Sequence, residues 1–250
     1  MRTTYSWIFK PSAALGIALI GALFSHSLWA QGKDSLDEII VTATKRDERV
    51  RDVPMAISVL GEDTLEIAGI SDSQGIADSV PGMTFSTAGN NINPSFIVRG
   101  IGTLLNQDDL TSPVAVYLDE MPMSAAKSTV RMDFGLFDAA RVEVLKGPQG
   151  TLFGAGTLAG AVRIISNKPD PSGLSYRVST DIGSTSGELR QRYNGMVNIP
   201  INENAAVRLV GFVAEDDGWV NDLSSGTNPT NNVTNMGLRA LLGWQVSDRL

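Results

Sequence analysis

Tyr176-Arg177-Val178-Ser179-Thr180-Asp181-Ile182 changes character at every step. Successive side chains on a strand point to opposite faces, so Tyr176, Val178, Thr180 and Ile182 share one face and Arg177, Ser179 and Asp181 the other. The same period recurs downstream. Leu189, Tyr193, Val197 and Ile199 alternate with Arg190, Arg192, Asn194 and Asn198. In Ala205–Glu215, Val207, Leu209 and Val213 share a face, while Val210 and Phe212 blur the other. Met236, Leu238, Ala240, Leu242, Trp244 and Val246 stand opposite Gly237, Arg239, Gly243 and Gln245. Segments of about ten residues with period two suit membrane-spanning barrel strands, apolar toward lipid and polar toward the lumen. A soluble antiparallel sheet packed on one face shows the same alternation. The links favour the membrane: Pro200–Asn204 is short, whereas Asp216–Asn235 is long, polar and rich in Asn, Ser, Thr and Gly, and outer-membrane barrels pair short turns with long loops.

Upstream, residues 1–30 read as a secretory signal peptide. Arg2 and Lys10 supply the positive end, and Ala13–Phe24 is an apolar run of twelve residues, well short of the ~20 that span a bilayer. Cleavage after Ala30 is preferred, with Ser27 as the other site; an uncleaved anchor is the competing reading. Between Asp37 and Pro171 the chain mixes short β-branched runs with helix-like and glycine-rich stretches. Ile57–Leu60, Phe96–Arg99, Val114–Asp119, Arg141–Leu145 and Val162–Ser166 predict strands. Gly61–Ala68 and Ser71–Val80 predict short helices, ended by Gly69 and by Pro81-Gly82. This is an α+β domain followed by antiparallel strands.

Composition closes off several functions. The chain has 250 residues, no cysteine, one histidine and a formal charge of -7. His26 lies in the leader, so the processed chain has no residues for a disulfide, a Cys/His zinc site, or Ser-His-Asp or Cys-His catalysis. Losing Arg2 and Lys10 leaves 18 basic against 27 acidic side chains, which opposes nucleic-acid binding. No enzyme activity, cofactor or metal site is expected. Gly154-Ala155-Gly156-Thr157-Leu158-Ala159 matches a dinucleotide fingerprint, but a β-branched run follows where a helix is required, so the glycines read as a tight turn. Asp108-Asp109 and Asp119-Glu120 read as loop charge or ion pairs, because neighbours on a strand face opposite ways. Asp37-Glu38-Ile39-Ile40-Val41-Thr42-Ala43, after a polar linker from Gln31 to Ser35, offers unpaired backbone to the edge of another protein's sheet.

Several of these stretches together resemble the TonB-dependent outer-membrane receptors. Glu38-Ile39-Ile40-Val41-Thr42-Ala43 is similar to the TonB box. Val80-Pro81-Gly82, Val98-Arg99-Gly100-Ile101, Val116-Tyr117-Leu118-Asp119 and Arg141–Gly154 resemble the plug motifs, in the family's order. Two stretches depart from it: Asp119-Glu120-Met121-Pro122 replaces an Asp-Gly, and Ala155–Ala161 replaces an Arg-Asn with paired glycines. The resemblance implies a signal peptide at 1–30, a periplasmic linker with the box at 31–48, a plug at 49–171 and the start of a transmembrane β-barrel at 172–250. It implies that Glu38, Ile39, Ile40, Val41, Thr42 and Ala43 pair with TonB, which acts with its inner-membrane energising complex. Substrate, expected to be a ferric siderophore, would meet Asn90, Asn91, Asn93 and Gln107. Receptors for glycans, cobalamin or haem, and a non-transporting exported binding module, are the alternatives. Lipid of a Gram-negative outer membrane is the expected surround.

Length fits this reading poorly for a whole receptor. A barrel that holds a plug resembles 22-stranded transporters and needs several hundred residues at about ten per strand. Only about 80 follow Pro171. An N-terminal fragment of a larger receptor is therefore expected, one that would not transport alone.

Overall fold

The computed structural model describes residues 39–86, 95–102, 112–123, 135–218 and 232–245, all within one unit, Ile39–Leu250. The leader, Glu38, Asn90, Asn91, Asn93, Gln107, Asp108-Asp109 and the last five residues lie outside the described residues.

The chain opens with a small hairpin, β1 (Ile40–Val41) against β2 (Glu48–Arg49), followed by a 3-10 turn at Val50–Asp52. Then come β3 (Ile57–Gly61), α1 (Glu62–Ile67) and α2 (Ser73–Ser79). Gly69 takes φ +65° just past α1, a left-handed stop that costs glycine little. Asp72 caps α2 by accepting the Gly75 N–H at 2.8 Å. β4 (Met83–Ser86) pairs with β5 (Ser95–Val98), and β6 (Val114–Leu118) pairs with β7 (Met121–Pro122). The domain ends with β8 (Ala139–Lys146), a single turn α3 (Gly150–Phe153) and β9 (Gly160–Ser166). Each strand and helix predicted in this region is present with ends shifted by a residue or two. The turn α3 precedes the glycines of the dinucleotide-like stretch and β9 follows them, so no helix starts where a pyrophosphate would sit.

One sheet, ordered β3-β8-β9-β6-β7, organises the domain; β6 and β9 run parallel and the other pairs antiparallel. Both faces are covered. Val142, Val144, Val162, Ile164, Val114 and Val116 pack on one side against Leu65, Ile70 and Ile76 of the helical layer. Ala115, Tyr117, Leu145 and Ala161 pack on the other against Val41, Ala43 and Val53 of the N-terminal segment. A sheet covered on both faces needs near-continuous apolar runs, which is what β6, β8 and β9 carry.

The second sheet is an antiparallel meander: β10 (Ser175–Thr185), β11 (Glu188–Asn202), β12 (Ala205–Asp216) and β13 (Val233–Trp244). Among the described residues these four strands form an open sheet, with β10 and β13 at its edges. Glu203-Asn204 turns one rim, while residues 217–232 connect β12 to β13 at the other. The long-loop rim also carries a two-residue turn, Ser186-Gly187, with φ +57° and +94° suited to a tight hairpin. Loop length is therefore less one-sided than the sequence implied. Tyr176, Val178, Ile182, Met236, Leu238, Leu242 and Trp244 are exposed on one face, Leu238 at 83%. Asn194, Met196, Asn198, Arg208 and Val210 point the other way and are buried. Among the described residues no helix is long and apolar enough to cross a membrane.

Candidate functional site

The N-terminal segment singled out by sequence is held on the first domain. β1 and β2 exchange backbone pairs Ile40 with Arg49 and Val41 with Glu48, and Ile39 accepts the Val50 N–H at 3.1 Å. Val41 and Ala43 are fully buried. Burying a valine side chain contributes about 2 kcal/mol, so the run that looked like unpaired strand has reason to dock.

Thr42 stands between those two anchors, inside a cluster of charged side chains. Its N–H donates to Glu143 Oε1 at 3.1 Å. Its Oγ1 accepts from Arg163 Nη1 at 3.0 Å and from Arg141 Nη2 at 3.3 Å. Glu143 also takes Arg141 Nε at 2.8 Å and Arg163 Nη1 at 2.6 Å. Arg163 then reaches Glu120 Oε1 at 2.8 Å, and Lys45 closes the ring with an ion pair to Glu120 Oε2. Glu143 and Arg163 are completely buried. Charges so placed persist only when paired, and each is. The Phe153 ring lies under both cations, 4.6 Å from the Lys45 ammonium and 5.3 Å from the Arg163 guanidinium. Tyr117 packs on that ring and donates its hydroxyl to the Phe153 carbonyl.

Electrostatics follow from this arrangement. Burial alone would raise the Glu120 carboxyl, but the Lys45 hydrogen bond and the Arg163 charge outweigh it and hold it below the usual range. Burial pushes the Tyr117 phenol up, against the pull of Arg163. Asp119 takes φ +54° in the turn between β6 and β7 and accepts from Ser166 N and Oγ at 2.8 and 3.0 Å. Glu120 is thus an ion-pair residue, as one of the two sequence readings had it, while Asp119 instead accepts hydrogen bonds from a serine.

A second feature lies where the domain meets the meander. A cleft of about 440 Å³ opens at the long-loop rim, lined by Ser71, Asp72, Asp181, Arg190, Arg192 and Asp216 among others. Arg190 pairs with Asp216 at 3.1 Å and Arg192 donates to the Ser71 carbonyl. The charged side chains in its lining suit a hydrated, polar solute. Of the sequence-predicted site residues, Ile39 to Ala43 are brought together on the domain. Glu143, Arg163 and Lys45 were missed, and Glu120 was read as loop charge or an ion pair without its partners. The local signal for Glu143 and Arg163 was a charge inside each of the β-branched runs Val142-Glu143-Val144 and Val162-Arg163-Ile164.

Comparison with known proteins agrees with this architecture. Residues 49–161 match the TonB-dependent Receptor Plug Domain family. The chain is 26% identical over 234 residues to the pesticin receptor of Yersinia pestis, covering 92% of this chain and 32% of that one. It is 27% identical over 215 residues to an iron-regulated outer membrane virulence protein of Vibrio cholerae, covering 84% and 32%. The fold is similar to part of the ferric yersiniabactin uptake receptor FyuA of Yersinia pestis, with a TM-score of 0.59, 22% identity, and coverage of 75% of this chain and 29% of that one. The chain spans about a third of the length of the curated relatives it matches.

Proposed function

We propose that the chain is part of a TonB-dependent receptor and serves energy-coupled uptake across an outer membrane, a reading supported by the plug-domain match over residues 49–161 and by the relatives and the fold. Residues 1–30 direct export, the segment Glu38–Ala43 is the strand that TonB captures, the plug runs over 49–171 and 172–250 is barrel wall. The observation that carries the reading is the docked segment. A short β-branched strand, addressable by β-augmentation, is held on the plug by side-chain contacts that can be exchanged for another protein's backbone. The exposed apolar face of the meander suits hydrocarbon, and its buried polar face suits a plug.

The proposed substrate is a ferric siderophore, in line with the iron-regulated relative. Such a complex carries its metal in an organic ligand and asks for no protein histidine. It would enter past the polar cleft and the segments that hold Asn90, Asn91, Asn93 and Gln107. The test is deletion of Glu38–Ala43 in cells carrying the gene, with uptake of iron-siderophore complexes measured under iron limitation. Loss of uptake with normal surface display is expected. Uptake that survives the deletion would remove the energy coupling through this segment and refute the reading.

A further inference from the structure

The plug has two attachments of different kinds. On the face of its sheet that carries the N-terminal segment, the clasp around Thr42 ends in side chains open to water, Lys45 and Glu120. On the other side, the turn before β8 inserts a single carboxylate, Asp138, into the meander. Arg208 of β12 grips it in a fork, Nε to Oδ2 at 2.7 Å and Nη2 to Oδ1. Arg239 of β13 holds the main chain of the same turn, Nη2 donating to the Phe137 and Asp138 carbonyls at 3.4 and 3.2 Å. Asn167, just after β9, donates to Asp138 Oδ1 at 3.3 Å and, through its N–H, to the Asp138 carbonyl at 3.2 Å. The Asp138 side chain is completely buried and Arg208 nearly so. Asp138 also sits at φ +64°, a conformation a non-glycine residue keeps only when its surroundings impose it.

We propose that Asp138 is the fixed pivot of the plug, a carboxylate held by two adjacent wall strands that stays engaged while the N-terminal segment is drawn off the opposite face. Extracting one partner of a buried fork strands a charge, which makes this the costliest contact to open. Away from Asp138, the plug-to-wall ion pairs among the described residues, Arg177 with Glu62 and Glu66, are partly exposed and can slide through water. A pull on the segment therefore uncovers Ala115, Leu145 and Ala161 before it moves the turn at Asp138.

This inference rests on the transport reading, and its test uses the receptor in cells. Asp138→Asn is expected to raise the undocked fraction of the plug by roughly 100-fold, seen as entry of vancomycin through the outer membrane. Arg177→Ala, an exposed pair, should leave that barrier unchanged. In the double variant Asp138→Cys, Arg208→Cys, a short bis-maleimide replaces the ionic contact by a covalent one. The bridged receptor is expected to regain both the barrier and box-dependent uptake, the latter to within about twofold of the parent. A bridged receptor that seals but no longer takes up substrate, when the unbridged form does, overturns the pivot. So does an Asp138→Asn receptor with an intact barrier. Vancomycin entry requires no energised uptake, so it judges the pivot even where deletion of Glu38–Ala43 has refuted the receptor reading.

Discussion

Thr42→Val isolates the docking of the N-terminal segment. The substitution keeps the β-branched shape and the N–H that Glu143 accepts, and it removes only Oγ1. That oxygen takes hydrogen bonds from Arg163 at 3.0 Å and Arg141 at 3.3 Å. Bonds to charged donors contribute about 1.5–3 kcal/mol each, and the low end applies because Thr42 is partly exposed. The undocked plug retains the Glu143–Arg163 pair, so the loss, about 3 kcal/mol, falls on docking alone. At 1.4 kcal/mol per factor of ten, the undocked fraction rises roughly 100-fold. A cysteine at the fully buried Ala43 reads this directly, through its rate of maleimide labelling in the folded protein. A cysteine at Val162, equally buried on the opposite face of the sheet, serves as the control and should not respond. Labelling at Ala43 that quickens less than about threefold, or a control that quickens equally, would show that the clasp does not hold the segment.

Acid should loosen the same clasp. Glu120 is depressed in the folded protein, so its contribution is present above the ordinary carboxylate value of 4.5 and is lost as pH falls through the lower, folded one. Pepsin cleavage within residues 39–53, normalised to that of an unstructured peptide at each pH, should climb as pH falls below 4.5, and Glu120→Gln should abolish the step. Gly160→Ala tests the register of the plug sheet. An added Cβ would sit 2.3 Å from the Leu145 carbonyl oxygen, a backbone atom that cannot turn aside. Chemical denaturation should show a loss of at least 1–3 kcal/mol, and an unchanged midpoint would contradict the β8–β9 pairing.

Period-two patterning revealed the meander because water or lipid lies on one side and something polar on the other. It blurred at Val210 and Phe212, and the structure supplies the cause. Both point inward, where β12 meets the plug: Val210 is buried, and the Phe212 ring fills the space that a side chain at Gly135 or Gly237 would need. At these positions the wall meets the plug through apolar side chains, whereas Arg208 and Arg239 on the same face meet it through charge. The helices and strands of the first domain were readable for a simpler reason. The helix ends are marked locally, by a glycine at positive φ after α1 and an aspartate cap at the start of α2.

The site was half legible. Ile39 to Ala43 announce a strand through their own side chains, but nothing local says what that strand rests on. Its partners come from the β6–β7 turn, β8 and β9, about 75 to 120 residues away, and only the sheet order brings them together. A charge in the middle of a β-branched run was the available clue. In a sheet covered on both faces such a charge cannot reach water, so Glu143 and Arg163 required partners across the sheet. The same logic would have flagged Arg208 and Arg239, basic residues on the inward face of apolar strands, before the position of Asp138 was known. Buried charge marks both attachments of the plug. The clasp ends in groups that water can reach, whereas the carboxylate of Asp138 is sealed, and that difference orders which attachment yields first.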